Sequence, residues 1–239
     1  MPRRKARKHR KRHPRKQGRR ILAVDVGGTH VKVMLSTRSE KRKFKSGPKL
    51  TAKRMVAKVK DLTDDWTYDV VSIGYPGPVA NNRPLSEPRN LGTGWTGFNF
   101  SKAFGRPVRL VNDAVMQALG SYAGGRMLFL GLGTGVGSAM IIDGVIEPME
   151  LAHLPYKKGK TFEQYLGEKA RKRSGAKKWR VDVADAVKRL TAALEPGYVV
   201  IGGGNVEHLK TLPAHARRGD NEKAFSGGFR LWKDDGHLA

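Results

Sequence analysis

The sequence predicts an α/β protein of two related lobes, because apolar strands alternate with amphipathic helices and one strand–turn–strand pattern occurs twice. The first copy is ILAVDVGGTHVKVML at 21–35, and the second is MLFLGLGTGVGSAMII at 127–142. Each copy places glycines between two apolar runs, as a hairpin requires. We therefore predict a first lobe at 21–112, a second lobe at 113–239 whose final helix can pack back onto the first, and a basic tail at 1–20.

The remaining elements of the first lobe follow from local patterns. AKRMVAKVKDL at 52–62 has helical spacing of its apolar residues, and VVSIG at 70–74 is a strand that ends in the rigid turn YPGPV. The next stretch, 80–100, is rich in turn formers and long enough to predict a functional loop. PVRLV at 107–111 predicts a short buried strand, and NDAVMQALGSY at 112–122 predicts a helix.

The second lobe continues with the same alternation after its hairpin. A Lys-rich helical region is followed by the amphipathic helix VADAVKRLTAAL at 183–194 and the strand YVVIGGG at 198–204. NEKAFSGGFRLW at 221–232 is the closing segment. Strands that alternate with helices in this way favour the α/β class for the whole body.

Positive charge is concentrated in the tail at 1–20, which has 12 Lys or Arg residues and no acid, in a chain of formal net charge +26. Such a run cannot bury apolar surface, so we expect a disordered tail that touches polyanions, nucleic acid included, without sequence specificity and in a salt-dependent way. A specific DNA reader is disfavoured, because neither a helix-turn-helix pattern nor zinc-ligand spacing accompanies the charge.

Composition excludes several other classes of protein. Hydrophobic residues make up 38% of the chain, enough for a buried core. Cysteine is absent, so disulfides and thiolate metal sites are excluded and a reducing cytoplasm is the expected location. No apolar run approaches the roughly 20 residues that span a bilayer, and no secretory signal is present, so no membrane partner is expected.

The two glycine turns predict a phosphate site. Gly27 and Gly28 in one turn, and Gly133 and Gly135 in the other, allow backbone N–H groups to approach an anion closely. Glycine used only for tight turning is the alternative. The P-loop motif is excluded, because Gly159-Lys160-Thr161 has Leu154 at the required glycine position. The dinucleotide fingerprint is excluded as well, because the turn at 131–137 leads into a strand and not a helix.

Two acids complete the pattern. Asp25 ends the first strand, and Asp113 begins a helix near the lobe boundary. This arrangement resembles the two-lobed fold of actin-like ATPases and sugar kinases, which has duplicated RNase H-like domains. That fold has an acid at a strand end before a glycine turn, a second copy of the turn, and a second acid at the start of a helix. Asp113 could serve as general base for a hydroxyl, or merely as a helix cap. A helix N-terminus stabilises a carboxylate, so we expect its position to matter more than a raised pKa.

These motifs together resemble the ROK family of sugar kinases (repressors, open reading frames and kinases), and within it the polyphosphate glucokinase branch. Seven segments carry the resemblance in the family's order: DVGGTHVKV, YPGPV, EPRNLGTGW, VNDA, LGLGTGVGSAM, MELAHL and VVIGGG. The resemblance covers about 220 residues, from Ile21 to the C-terminus. It implies a kinase that transfers a phosphoryl group to the 6-hydroxyl of glucose or a related hexose.

The resemblance also implies roles for individual residues. Asp113 would deprotonate the attacking sugar hydroxyl, and Asp25 would orient Mg²⁺, usually through water. The sugar hydroxyls would be held by Asn90, Asn112, Glu150, His153 and Glu163. The donor phosphates would be cradled by Gly27, Gly28, Thr29, Lys32, Gly133, Thr134, Gly135, Gly203 and Gly204.

The sequence departs from the family pattern after the Glu-x-x-His segment. Most kinases of the ROK family carry a cysteine-rich zinc loop after this segment. This chain has PYKKGKTFEQYLG there, without cysteine, so no zinc is expected and His153 is not assigned to a metal. MELAHL also has Ala152 where glycine is usual. The sequence alone does not identify the exact sugar.

Three questions stay open at this point: the phosphoryl donor, whether the protein is an active kinase, and the oligomeric state. The phosphoryl donor can be polyphosphate, which a basic body would bind, or ATP, which needs an adenine pocket beyond Gly204. The protein can instead be a catalytically weak sugar-sensing or nucleic-acid-associated member of the family that uses its tail. A homodimer is an expectation from the resemblance alone.

Overall fold

The computed structural model describes residues 18–233. Of the tail predicted at 1–20, residues 1–17 lie outside that range. Arg20 belongs to the folded body, contrary to the prediction, because its backbone N–H and its guanidinium donate to the Asp69 carboxylate at 2.7–3.1 Å. None of the helices in residues 18–233 is long and apolar enough to cross a membrane.

The elements of the first half of the described chain alternate between strands and short helices. They are β1 (Ile21–Val26), β2 (His30–Leu35), β3 (Lys41–Lys45), α1 (Ala52–Leu62), β4 (Val70–Tyr75), β5 (Val79–Ala80), β6 (Arg83–Pro84), α2 (Phe100–Phe104), β7 (Val108–Asn112) and α3 (Asp113–Ser121). The first sheet has the order β3-β2-β1-β4-β7. β1, β2 and β3 pair antiparallel, while β4 and β7 run parallel to β1.

The second half repeats this plan. Its elements are β8 (Arg126–Leu132), β9 (Val136–Ile142), β10 (Val145–Met149), a 3₁₀ turn (Leu151–His153), β11 (Pro155–Lys157), β12 (Lys160–Thr161), α4 (Phe162–Leu166), α5 (Glu168–Ser174), α6 (Ala176–Leu194), β13 (Tyr198–Gly202), a second 3₁₀ turn (Gly204–His208), β14 (Ala216–Arg218) and α7 (Lys223–Arg230). The second sheet has the order β10-β9-β8-β13-β14. The strands pair antiparallel, antiparallel, parallel and parallel, as in the first sheet, so the duplicated fold is confirmed.

Each sheet is covered by apolar residues from its own helices. In the first lobe, Val24 and Val33 pack with Met55 and Val59 of α1. In the second lobe, strand residues such as Leu130 pack with the α6 face that carries Trp179, Val183, Val187 and Leu190. α6 begins at Ala176, seven residues before the helix we predicted, because the lysines of its first turn hide the apolar spacing that Trp179 starts.

α3 and α7 lie between the sheets and cross at glycines. A Cβ atom at Gly120 would overlap the backbone of Lys223, and one at Gly227 would overlap the backbone of Met116. α7 also contacts the first sheet, where the Ser72 hydroxyl donates to the carbonyl of Gly228 at 2.5 Å. The last helix of the described chain therefore touches strands β1 and β4. The lobe boundary at residue 112 stays a prediction, because β7 passes into α3 without a connecting loop.

Candidate active site

Asp25 stands near the carboxyl end of β1. It pairs across the antiparallel ladder with Lys32 and across the parallel ladder with Gly74, so Asp25 and Lys32 extend from the same face of the sheet. Burial raises the pKa of the Asp25 carboxyl, the Lys32 ammonium opposes that rise, and the charge of Glu222 adds to it. Within the described residues, no side chain or backbone group donates a hydrogen bond to this carboxylate, which leaves it open to a ligand.

The first glycine turn follows directly. Gly27 N–H donates to the carbonyl of His30 at 3.0 Å, and a Cβ at Gly27 would lie only 2.9 Å from that oxygen, so the turn requires glycine. Ser46 holds the turn from outside, because its hydroxyl donates to the Gly27 carbonyl at 2.7 Å. Gly28 and Thr29 are exposed at the tip, where their backbone can meet an anion.

Asp113 is the first residue of α3, and the cap of that helix is Asn112. The Asn112 amide oxygen accepts from Ala114 N–H at 2.8 Å and from Val115 N–H at 3.4 Å. Its amide nitrogen donates to the Gly77 carbonyl at 2.9 Å, which leaves one N–H for a ligand. Asn112, and not Asp113, is therefore the N-cap of α3.

Burial raises the pKa of Asp113 to about 7, and the charges of Asp25 and Glu150 contribute to the rise, while backbone N–H groups, that of Ala114 among them, lower it. The carboxylate accepts from Ala114 N–H at 2.8 Å. We expected the helix N-terminus to keep this group ionised, and that expectation was wrong because desolvation outweighs the helix terminus here. A carboxyl with this pKa can accept a proton near neutral pH.

The second glycine turn lies beside Asp113. A Cβ at Gly137 would overlap the methyl group of Ala114, so β9 passes directly over the start of α3. Within the turn, Gly133 N–H donates to the Gly135 carbonyl at 3.0 Å. The Gly133 carbonyl accepts from Glu168 N–H and from the Asn205 amide, both at 2.9 Å. Thr134 is exposed at the tip, as the matching tip of the first turn is.

Glu163 of α4 lies against this second turn. Its carboxylate accepts from Val136 N–H at 3.4 Å, and a side chain at Gly135 would overlap it. The other oxygen faces the first half of the chain, where the Arg89 guanidinium donates to it at 3.4 Å. Glu163 therefore connects the second turn with the loop that follows β6.

Glu150 precedes the 3₁₀ turn after β10 and His153 is the last residue of that turn, and both are exposed. The Glu150 carboxylate lies 3.9 Å from the His153 imidazole. Ser138 fixes the start of this turn, because its hydroxyl donates to the Met149 carbonyl at 2.8 Å and accepts from Leu151 N–H at 3.2 Å. The charge of Glu150 contributes to the raised pKa of Asp113, so the two carboxylates lie close enough to repel each other.

Asn90 lies on the loop between β6 and α2, next to the first glycine turn. A Cβ at Gly28 would be 3.4 Å from that of Asn90. The loop is anchored by Glu87, a residue that the sequence did not single out. Its carboxylate accepts from Trp95 N–H at 3.1 Å and from the Thr96 hydroxyl at 2.6 Å.

Gly203 and Gly204 follow β13, on the other side of the second turn. Gly203 has φ of 82°, and a side chain there would overlap the backbone of Leu132, so glycine is required. Asn205, which sequence reasoning also missed, links this segment to the turn, because it donates to the Gly133 carbonyl and accepts from the Arg171 guanidinium at 3.1 Å. Only its position after a glycine strand could have signalled this role.

The described residues thus place two exposed glycine turns, one carboxyl of raised pKa and several polar side chains near one another. A sequence profile of the ROK family matches residues 21–147, more than half of the chain. The chain belongs to the ROK family. The resemblance inferred from the seven motifs is therefore confirmed at the level of the family.

One curated relative matches part of this chain. A glucokinase of Pyrobaculum calidifontis is 31% identical over 138 residues, a match that covers 53% of this chain and 45% of that protein. The chain thus spans less than half of this curated relative.

Solved structures match over nearly the whole fold. The inorganic polyphosphate/ATP-glucomannokinase of Arthrobacter sp. strain KM has a TM-score of 0.77 at 22% identity, with 90% of this chain and 98% of that chain covered. A ROK family glucokinase of Streptomyces griseus, solved with glucose and AMPPNP, has a TM-score of 0.71 at 17% identity and covers 89% and 98%. These likenesses confirm the two-lobed fold.

Proposed function

We propose that this ROK family chain is a sugar kinase that transfers a phosphoryl group to the 6-hydroxyl of glucose, with Asp113 as general base. The observation that carries the proposal is the placement of Asp113, whose pKa of about 7 is set by burial at the start of α3, beside the second glycine turn. A base of this pKa is well matched to a sugar hydroxyl that loses its proton as it attacks phosphorus.

The sugar would lie among the polar side chains of the cleft. Asn90 and the free N–H of Asn112 come from the first half of the chain, while Glu150, His153 and Glu163 come from the second. Carboxylates and amides suit a ring of neighbouring hydroxyls, because each can accept or donate two hydrogen bonds at once. Residues from both halves would fix the 6-hydroxyl against Asp113, which supplies much of the rate through positioning.

The donor phosphates would lie between the two glycine turns. Their backbone N–H groups and the Lys32 ammonium oppose the charge that spreads over the phosphoryl oxygens during a loose transfer. The phosphate-contacting set would be Gly27, Gly28, Thr29, Lys32, Gly133, Thr134, Gly135, Gly203 and Gly204.

Magnesium fits this cleft through Asp25. No group of three or more His, Cys, Asp or Glu residues that could hold a metal occurs within 18–233. A cation held by one protein carboxylate, by water and by donor phosphates is the usual arrangement for Mg²⁺. The Asp25 carboxylate, which receives no hydrogen bond from the described residues, suits that role, and the bound ion would neutralise phosphate charge. We assign no zinc to the site.

The donor would be polyphosphate, ATP or both. The charge of the chain favours a polyanion, and the Arthrobacter glucomannokinase is named for both donors. The glucokinase solved with AMPPNP binds a nucleotide analogue. A homodimer, a cytoplasmic location and contact of the tail with nucleic acid stay predictions from the sequence.

Phosphorylation of glucose by the purified chain with Mg²⁺ tests the proposal. Parallel reactions with ATP and with polyphosphate, at low and high salt, separate the donors. Polyphosphate activity that falls as salt rises supports the polyanion donor, whereas activity with ATP alone removes it. Absence of turnover with either donor, together with calorimetric glucose binding, would contradict the kinase and favour a sugar-sensing protein.

A further inference from the structure

A short hairpin joins the two groups of candidate sugar-binding residues in the second lobe. β11 and β12 lie between the turn that carries Glu150 and His153 and the helix that carries Glu163. Lys158 and Gly159 form the tip of the hairpin with φ of 49° and 69°, as a tight two-residue turn requires. Contacts that fix this hairpin therefore help to fix Glu150 and His153 relative to Glu163.

Tyr156 of β11 contacts both neighbouring helices. Its ring stacks on Phe162 with centroids 4.6 Å apart and meets Tyr165 edge-on at 5.1 Å, so it packs on the residues that flank Glu163 in α4. Its hydroxyl donates to the Asp185 carboxylate of α6 at 2.6 Å and lies 3.2 Å from the Asp182 carbonyl. A single side chain therefore connects α4 with α6.

Charged groups complete this connection. The Lys157 ammonium lies 3.1 Å from both Asp182 and Asp185, and the Arg189 guanidinium donates to Asp185 at 2.9 Å. Asp182, Asp185 and Arg189 share one face of α6 because they are three and four residues apart. The side chain of Asp182 is only 10% exposed and that of Asp185 33%, so the charges are partly shielded from water.

We propose that Tyr156 and Asp185 are positioning residues for the sugar site, fixing the hairpin on α6 so that Glu150, His153 and Glu163 face the sugar together. This inference rests on the proposed function. The physical reason is that 154–161 forms a short two-stranded hairpin, which has little stability of its own, and needs an outer anchor to hold one geometry. The Tyr156–Asp185 contact, with its two flanking cations, supplies that anchor.

Asp185→Asn is the principal test, because it removes the charge that Lys157 and Arg189 share and keeps the size of the side chain. Tyr156→Phe is the second variant, since it keeps the ring packing on Phe162 and removes only the hydroxyl. The matched control is Asp65→Asn in the first lobe, where the carboxylate pairs with an Arg42 guanidinium that stacks 4.4 Å over Trp66.

In the Asp185→Asn enzyme we expect KM for glucose to rise about tenfold, with kcat within about twofold and the donor KM unchanged, because the loss of one charged partner loosens binding and not the base. Tyr156→Phe should raise the glucose KM by about threefold. Asp65→Asn should change none of these constants. An unchanged glucose KM in Asp185→Asn would overturn the proposal, as would an equal change in the Asp65→Asn control.

Hydrogen–deuterium exchange without sugar separates this proposal from the proposed function. If Asp185 anchors the hairpin, amides of residues 150–166 exchange faster in Asp185→Asn than in the wild type or in Asp65→Asn. Unchanged exchange there would overturn the anchoring. A wild type that phosphorylates no hexose would contradict the proposed function, and the exchange data would then still decide whether the anchor exists.

Discussion

The carboxylate of Asp25, near the end of β1, raises the pKa of Asp113, at the start of α3. The two acids belong to different elements of the chain. Burial raises the pKa of both carboxyls, and the charge of Asp25 adds to the rise at Asp113. If Asp113 is the proposed general base, burial together with this charge predicts that activity and stability depend on pH in opposite ways.

The first prediction concerns the pH profile of the wild type. Asp113 must be ionised to accept the hydroxyl proton, so kcat/KM for glucose should fall as the pH drops through about 7, with a slope that indicates one proton. Initial rates between pH 5 and pH 9 at saturating donor measure this limb. A flat profile down to pH 5 would remove Asp113 from the role of base.

The second prediction separates the contribution of Asp25. In Asp25→Asn the residual activity should show its acidic limb at lower pH than the wild type, because the repelling charge is gone. Asp61→Asn, on the exposed face of α1, is the control and should leave the limb in place. A limb that does not move in Asp25→Asn would show that the charge of Asp25 does not contribute to the pKa of Asp113.

The third prediction concerns stability. Because the folded-state pKa of Asp113 lies above its ordinary value near 4, the contribution of this group to stability is complete below that value and is lost as the pH rises through about 7. Asp113→Asn should therefore be more stable than the wild type by up to about 4 kcal/mol at pH 8, with a smaller difference of about 1–2 kcal/mol at pH 5. Urea unfolding at both pH values measures the two differences, and a variant less stable at pH 8 would contradict them.

The fourth prediction contrasts two glycines of the second turn. Gly135→Ala places a methyl group against the Glu163 carboxylate, so it should raise KM for glucose more than KM for the donor. Gly133→Ala meets no protein atom within 4 Å and extends toward the space proposed for phosphate, so it should raise the donor KM instead. Initial rates with each substrate varied in turn test the contrast, and identical effects of both variants would refute it.

The fifth prediction concerns the crossing of α3 and α7. Gly227→Ala should destabilise the fold by about 3 kcal/mol, because the added methyl overlaps the Met116 backbone and the helices must separate. Ser226→Ala, one residue earlier on the same helix, should change stability by less than about 0.5 kcal/mol. Chemical denaturation of both variants measures the difference, and equal stabilities would show that the helices accommodate the methyl.

Much of the fold could be predicted from the sequence, because its signals are local. The alternation of apolar residues around Gly27 and around Gly133 predicts the two hairpins, and their repetition predicts two sheets of the same strand order. Asp25 and Asp113 could be proposed for the same reason, since each stands at the end of an element. The start of α6 was missed, because Lys177 and Lys178 hide the apolar spacing.

Long-range contacts of the site could not be predicted. The Arg89–Glu163 hydrogen bond joins residues 74 positions apart, and the Tyr156–Asp185 hydrogen bond joins residues 29 positions apart. Neither pair has a sequence pattern of its own. The raised pKa of Asp113 was missed for a similar reason, because desolvation depends on packing from β9 and on the charges of other elements.

The measurement that tests the central claim most directly compares the wild type with Asp113→Asn at pH 8. We expect glucose 6-phosphate formation to fall by about 10³-fold or more in Asp113→Asn, because asparagine cannot accept the proton. Calorimetric binding of glucose should stay within about threefold, because asparagine keeps the hydrogen bond from Ala114 N–H. Turnover that survives in Asp113→Asn with unchanged glucose binding would contradict the assignment of the base.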